Sequence, residues 1–209
     1  VALTTGTGWS TRKLLVPEMM TGTVDIASGL SVAVTQKGIV SFPRGTLKIT
    51  GGGSFYATSM PDLTQIGGGV IEVSDGILQF GSEVFGYCSK RPFNFTIRVG
   101  EKGALRVDGS RYLTLPRYTV MKGGTISARS QTDAYGTSLT HPAKSYESVT
   151  LAGTLTVEPS ATPTRILNYS TALAPFDAET AFDVQEGATL EIVCRMTAGM
   201  ATEGSSANA

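Results

Sequence analysis

Hydrophobic and polar residues alternate along this chain in short runs, and glycines separate the runs. In the recurring pattern an alternating run is followed by a glycine, then by up to two residues and then by a leucine. Examples are VIEVSDGILQF around Gly76 and TIRVGEKGALRV around Gly103. Period-two alternation is typical of β-strands with one buried face. The same pattern occurs at Gly29, Gly45, Gly76, Gly103, Gly153 and Gly187.

A second pattern, a glycine pair followed by an apolar alternation, starts at Gly52, Gly68 and Gly123. Recurrence of both patterns at irregular spacings of roughly 16 to 34 residues is expected of a chain that winds through similar coils. Strands are predicted at residues 24–26, 30–34, 46–50, 70–73, 77–80, 95–99, 104–107, 125–128, 149–151, 154–157, 181–184 and 189–194.

The predicted fold is all-β, a single-domain parallel β-helix (β-solenoid) over residues 22–196. Residues 1–21 form an N-terminal segment that caps the coils or is exchanged with a neighbour, and residues 197–209 form a polar tail. A β-sandwich is the alternative fold, because short strands separated by turns also describe it. Long stretches between the strands favour a solenoid with inserted loops, at residues 54–66, 81–94, 107–120, 129–147 and 158–180.

The glycine before each leucine is interpreted as a corner residue. A corner between two sheets takes two or three residues and often requires a positive φ, which glycine adopts cheaply. We therefore expect the leucines that follow these corners to be buried and to stack in one interior column. These leucines are Leu78, Leu105, Leu155 and Leu190.

Composition favours an exported protein. The chain has 209 residues, only 16% of them charged, and 25 glycines, so its polar surface depends on Ser, Thr and Gly. No apolar run approaches the roughly 18 residues of a membrane span. The chain begins at Val1 rather than Met, and the expectation is that a leader was removed or the chain was shortened. The predicted location is extracellular or at the cell surface.

The phrases GGVIEVSDGILQF, GTLTV and VQEGATLEIV resemble the β-strand repeats of autotransporter passengers and related β-helical surface proteins of Gram-negative bacteria. The resemblance covers roughly residues 22–195. It implies a right-handed parallel β-helix, an exported location and usually no catalysis by the helix itself. The repeats here are irregular and no membrane-barrel segment follows them, which leaves the route of export open.

Candidate chemistry is sparse. We expect no cofactor and no metal site, because Cys88 and Cys194 are far apart in sequence and His141 is the single histidine. Two unpaired thiols are favoured over a disulfide. The closest carboxylate grouping is interpreted as a solvated acidic loop rather than a metal or acid/base site. It comprises Asp177, Glu179, Asp183 and Glu186. The sequence therefore predicts no catalytic residues and no enzyme.

Aromatic residues in the predicted loops could stack on a sugar ring or anchor the loop to the coil beneath it. Anchoring is the commoner role of such residues, and a glycan is retained as a possible partner. These aromatics are Tyr56, Tyr87, Phe93, Tyr112, Tyr118, Tyr135 and Tyr146.

Charge is segregated along the chain, with a net −1 over residues 1–89, +7 over 90–129 and −6 over 130–209. In a solenoid, position in sequence maps onto position along the axis, so a basic middle and an acidic end are expected. The basic candidate surface comprises Lys90, Arg91, Arg98, Lys102, Arg106, Arg111, Arg117, Lys122 and Arg129. The acidic candidate surface comprises Asp177, Glu179, Asp183, Glu186 and Glu191.

Three interpretations of this charge pattern stay open: solvation of successive coils, binding of a polyanion, and contact between copies. A nucleic-acid partner is not expected, because the chain is neutral overall and has no nucleic-acid motif. The predicted function is a non-catalytic structural or adhesive surface protein that associates with other copies of itself as a filament subunit. The alternative is a carbohydrate-active β-helix that binds or cleaves acidic polysaccharide.

Overall fold

The structure, a computed structural model, describes residues 2–3, 9–15, 22–27, 29–41, 44–57, 68–80, 95–107, 112–128, 148–151, 153–175 and 181–196. All regular secondary structure in these residues is β-strand. The strands are β1 (Ala2–Leu3), β2 (Trp9–Leu15), β3 (Thr23–Ile26), β4 (Ser31–Ser41), β5 (Thr46–Ile49), β6 (Gly53–Ala57), β7 (Val70–Phe80), β8 (Thr96–Val107), β9 (Tyr112–Thr114), β10 (Tyr118–Met121), β11 (Thr125–Ala128), β12 (Ser148–Leu151), β13 (Thr154–Val157), β14 (Thr164–Pro175), β15 (Ala181–Val184) and β16 (Leu190–Met196).

The strands pair in parallel and form two long ladders that share β7 and β8. The first ladder runs β1-β3-β5-β7-β8-β10-β13-β15. The second runs β2-β4-β6-β7-β8-β11-β14-β16. Each coil adds one level to each ladder, so the fold is a parallel β-solenoid, as predicted. Parallel pairing excludes the β-sandwich, whose sheets are antiparallel.

Alternate residues of both ladders point into the space between them and form the core. In the first ladder Leu47 pairs in register with Ile71 and Ile71 pairs with Ile97. In the second ladder Phe55 pairs with Leu78. All five side chains are buried. Because like side chains stack above one another every 4.8 Å or so, a short apolar alternation repeated in each coil is enough to build a continuous interior.

The predicted single column of leucines is wrong. Leu78 and Leu105 are register partners in the second ladder, whereas Leu155 lies in the first ladder, between Thr119 and Phe182. Leu190 is in the second ladder. The prediction of burial is confirmed for the first three, which are fully buried, while Leu190 is only partly buried against the core. Leu190 pairs with Thr164, two residues before the column of Leu105, Ile126, Ile166 and Ile192. The four leucines therefore share a local pattern but occupy three different positions in the coil.

Close stacking of the coils explains the corner glycines better than turn conformation alone. A Cβ placed on Gly103 would lie 2.1 Å from the carbonyl oxygen of Val73, and one on Gly76 would lie 2.2 Å from that of Gly53. Gly76 has a φ of +146°, whereas the φ of Gly103 lies outside the left-handed region. At Gly103 the requirement is therefore space between two backbones, since any side chain would collide with the coil below.

Several strands lie where the sequence predicted inserted loops or terminal segments. Strand β10 begins inside the predicted loop 107–120, and β14 lies inside the predicted loop 158–180. Strands β1 and β2 come from residues 1–21 and pair with β3 and β4. A further set of parallel pairs joins β9, β12 and the end of β14. Short strands with polar outward residues resemble loops in sequence, because only every second position is constrained.

Candidate interaction surfaces

The most exposed large hydrophobic side chain among the described residues is Tyr118, on the outer face of the first ladder. It stands in register with Thr96 of β8 on one side and Thr154 of β13 on the other. The residue is 54% exposed. The inward neighbours in these strands, such as Ile97, are buried, so alternation directs Tyr118 outward. Small threonine neighbours leave most of the ring uncovered.

Two exposed cations accompany this ring. Arg98 lies on the neighbouring strand, two residues beyond the register partner of Tyr118, and is itself in register with Val120. Lys122 directly follows β10 and is exposed; its backbone N–H donates to the carbonyl of Val99 at 2.8 Å. We call Arg98, Tyr118 and Lys122 the Tyr118 face. Positions 118, 120 and 122 are alternate residues, so period-two geometry places them on one side of the chain.

Two carboxylates near the Tyr118 face, those of Glu72 and Glu101, already have partners, and Glu158 lies beside Lys122 directly after β13, where its backbone N–H donates to the carbonyl of Met121. Glu72 is in register with Arg98, but its Oε2 lies 3.1 Å from Lys48 Nζ. Glu101, at the corner that follows β8's first half, accepts a hydrogen bond from the backbone N–H of Ala161 at 2.8 Å. The outward column continues from Arg98 through Val120 and Thr156 to Asp183.

The predicted basic surface is divided between two faces. Alternation directs Arg98 out of the first ladder and Arg106 out of the second, because their neighbours Val99 and Leu105 are buried in the core. Lys102 and Lys122 are exposed near the corners, and Arg117 is half-buried. The remaining members, Lys90, Arg91, Arg111 and Arg129, lie outside the described residues. The described members of the basic surface thus lie on more than one face of the coils.

The predicted acidic surface is also split. Asp183 and Glu186 are exposed at the last described coil. Glu191 instead forms a salt bridge within the chain, with its Oε2 2.7 Å from Arg165 Nε. Asp177 and Glu179 lie outside the described residues. Two of the five predicted acidic residues are therefore placed together at one end of the solenoid.

That end of the solenoid is open among the described residues. Strand β15 pairs only with β13, and β16 only with β14. Val184 is the register partner of Val157 in the preceding coil. Val157 is fully buried, whereas Val184 is 45% exposed. Phe182 and Ile192 are only partly buried against the core. We call these inward residues of the last coil, Phe182, Val184, Leu190 and Ile192, the open end.

The outer face of the second ladder carries a polar column that is unusually buried. Gln79, Arg106 and Ser127 are consecutive register partners. Ser127 is only 2% exposed, and neither its Oγ nor Arg106 Nε has a hydrogen-bond partner among the residues that the structure describes. Buried polar atoms normally have hydrogen-bond partners. This column is therefore a part of the outer face where buried polar atoms lack such partners among the described residues.

The described residues provide no metal centre, since no group of three or more His, Cys, Asp or Glu side chains comes together in them. No helix in the described part of the chain is long and apolar enough to cross a membrane. His141 and Cys88 lie outside the described residues, while Cys194 lies in β16. The predictions of unpaired thiols and of no catalytic group stay predictions.

Sequence reasoning placed Tyr118 in an inserted loop, and the structure corrects this to the first position of β10. Tyr56 likewise lies in β6 rather than in a loop, and Tyr112 lies in β9. The signal for β10 was weak, because its buried positions are Thr119 and Met121 while Tyr118 and Val120 face outward, which reverses the expected apolar alternation. Tyr87, Phe93, Tyr135 and Tyr146 lie outside the described residues.

Comparison of the chain with protein-family models, with curated proteins and with solved structures finds no match.

Proposed function

We propose that this protein is a non-catalytic, structural or adhesive surface protein whose solenoids stack end to end as subunits of an extracellular filament. The observation that carries the proposal is the open end. Leu155, Val157 and Ile166 are fully buried one coil earlier, whereas Val184 is 45% exposed at the last described coil. An apolar cross-section of this kind favours contact with another coil, because its burial removes hydrocarbon from water.

Backbone groups support the same arrangement. The outer edges of β15 and β16 have no partner strand among the described residues, and unpaired strand edges template pairing with another chain. At the opposite end β1 pairs only with β3, and β2 only with β4. All of these strands run in parallel. A second copy placed head to tail would therefore extend both ladders in the same direction.

Head-to-tail contact of this type is heterologous, so it does not close on itself unless the rotation forms a ring, and it otherwise propagates as a fibre. The exposed carboxylates of the open end add an electrostatic contribution. Asp183 and Glu186 are exposed at the open end, where they would face the coils of the next copy. Because the contact is exposed to solvent at its rim, this contribution should weaken as salt screens it, while edge pairing and apolar burial should not.

Export to the cell surface or to the extracellular space belongs to the proposal. The resemblance of VIEVSDGILQF and VQEGATLEIV to autotransporter-passenger repeats and the low charged fraction of 16% support it. A solenoid also suits a mechanical role, since each coil contacts mainly its neighbours and the length can grow without redesign of the core. Display and adhesion depend on the length of the molecule rather than on a buried reactive group.

Assembly can be tested with a substitution at the open end and a matched one elsewhere. Val184→Asp introduces a charge into the exposed apolar cross-section, and Val70→Asp places the same change on the outer face of the first ladder, away from both ends. We expect filaments or large species of the unmodified protein by electron microscopy and sedimentation velocity. Val184→Asp should abolish them, whereas Val70→Asp should retain them.

Circular dichroism of both variants shows whether they fold, so that a loss of assembly is not mistaken for unfolding. A strictly monomeric profile of the unmodified protein at high concentration and low salt would contradict the filament proposal. The catalytic alternative is tested by incubation with pectin, alginate and mucin glycans, followed by reducing-end and unsaturated-uronate assays. We expect no turnover; activity that disappears in Asp177→Asn or Glu179→Gln would establish the enzyme instead.

A further inference from the structure

We propose that the Tyr118 face is a binding site for an acidic polysaccharide, a function in addition to assembly. The ring of Tyr118 would stack on a sugar ring, and Arg98 and Lys122 would pair with carboxylate or sulfate groups on the polymer. The proposal rests on the exposed ring, on the placement of two cations beside it and on the engagement of Glu72 and Glu101 with other partners.

The ring is positioned for contact with a flat ligand face. Tyr118 is 54% exposed and stands between Thr96 and Thr154, whose side chains are short. An aromatic ring that the fold leaves uncovered retains apolar area that a partner can bury. The hydrogen-bearing face of a pyranose is apolar enough to cover such a ring, and the neighbouring hydroxyl groups of threonine can bond to the sugar hydroxyls.

The cations lie at distances that suit an extended polymer. Strand spacing and rise place the Cα of Arg98 roughly 8 Å from that of Tyr118, and the Cα of Lys122 about 13 Å away along the chain. Long side chains can shorten or lengthen these separations. A chain of sugar rings that crosses β8 and β10 would therefore meet the aromatic ring and both cations, each at a different sugar unit.

Charge complementarity favours an anionic ligand. Glu72, the carboxylate in register with Arg98, lies 3.1 Å from Lys48 Nζ, and Glu101 accepts the N–H of Ala161 at 2.8 Å. Both of these carboxylates therefore interact with groups outside the Tyr118 face. Of the column that contains Arg98, the next two members are Val120 and Thr156, which carry no charge. The positive charge of this face is that of Arg98 and Lys122, and the first carboxylate of the column beyond them is Asp183, three levels from Arg98.

A polysaccharide fits this face better than a nucleic acid. Binding of single strands uses a series of aromatic side chains on which successive bases stack, and the Tyr118 face has one ring. A second copy of the chain is the other candidate, through its exposed Asp183 and Glu186. It would use the cations, but the carboxylates of Asp183 and Glu186 give no reason for the uncovered ring.

The test is titration of the protein with oligogalacturonate, with dextran as the neutral polymer, followed by calorimetry at low and high salt. We expect binding of oligogalacturonate that weakens with salt and no measurable binding of dextran. Tyr118→Ala should weaken affinity about tenfold, and Arg98→Gln or Lys122→Gln about threefold to tenfold. The matched controls are Tyr56→Ala, on the second ladder, and Arg44→Gln, an exposed cation in a turn; both should leave affinity unchanged.

The same variants are examined by sedimentation, which separates this proposal from the assembly proposal. Loss of oligogalacturonate binding with unchanged assembly supports a glycan site. Altered self-association without any effect on oligogalacturonate binding would assign the face to a second copy and overturn the proposal. Equal affinity in Tyr118→Ala and Tyr56→Ala, or binding of single-stranded DNA that exceeds oligogalacturonate binding, would also overturn it.

Discussion

Arg165 and Glu191 face each other across adjacent levels of the second ladder, and Arg165 Nε donates to Glu191 Oε2 at 2.7 Å. Both side chains are 42% exposed. Lys48 and Glu72 form the same kind of pair in the first ladder. Opposite charges in register stabilise one alignment of neighbouring coils over a slipped one. The pair also removes Glu191 from the carboxylates available to another copy.

A double-mutant cycle of Arg165→Gln and Glu191→Gln should give a coupling energy of about 0.2–1 kcal/mol. The value is small because both groups are partly in water, and it should fall as salt is added. Urea titrations of the two single variants, the double variant and the unmodified protein measure it. Coupling that is absent at low salt, or insensitive to salt, would contradict this description of the pair.

Gly103→Ala should destabilise the protein by roughly 3 kcal/mol, since the new methyl group would collide with the backbone of the coil below at Val73. Gly29→Ala is the matched control, because Gly29 has a φ of +71° but open space around its Cβ position. That change should cost only about 1–2 kcal/mol, from the left-handed conformation alone. Thermal unfolding compares the two; an equal or smaller loss in Gly103→Ala would refute the close-stacking explanation.

Leu105→Ala should cost about 2–5 kcal/mol of unfolding free energy, because Leu105 is fully buried and its removal leaves a cavity. Leu190→Ala removes the same atoms from a side chain that is only partly buried at the open end. Its cost should be clearly smaller. Denaturant titration of isolated subunits provides the comparison, and similar losses at the two positions would mean that the open end is covered even in a single subunit.

Ser127→Ala should leave stability unchanged or increase it slightly, because its buried hydroxyl has no hydrogen-bond partner in the described part of the chain. Thr164→Val is the matched change at a satisfied hydroxyl: Thr164 Oγ1 donates to the carbonyl of Gly123 at 3.2 Å. Removal of that bond should cost about 1 kcal/mol. A loss in Ser127→Ala as large as in Thr164→Val would indicate that the Ser127 hydroxyl is bonded in solution.

Several features of the fold follow from the sequence alone. Alternating runs such as those around Gly76 and Gly103 identify strands, because only a period-two pattern places every apolar side chain on one face. The recurrence of the runs identifies a solenoid, since each coil must rebuild the same two-sided interior. Burial of Leu78 and Leu105 follows as well, because a leucine within an alternating run takes the apolar face.

Position within the coil was decided by the tertiary structure. The same glycine-leucine pattern occurs at the corner between the ladders, at Gly76, and before a strand of the first ladder, at Gly153. Both sites lead into an alternating run, so the local pattern is identical. The alignment depends instead on hydrogen bonds between coils that are separated by loops of variable length. Those bonds placed Tyr118 beside Arg98 and Arg165 beside Glu191, pairs that no local periodicity contains.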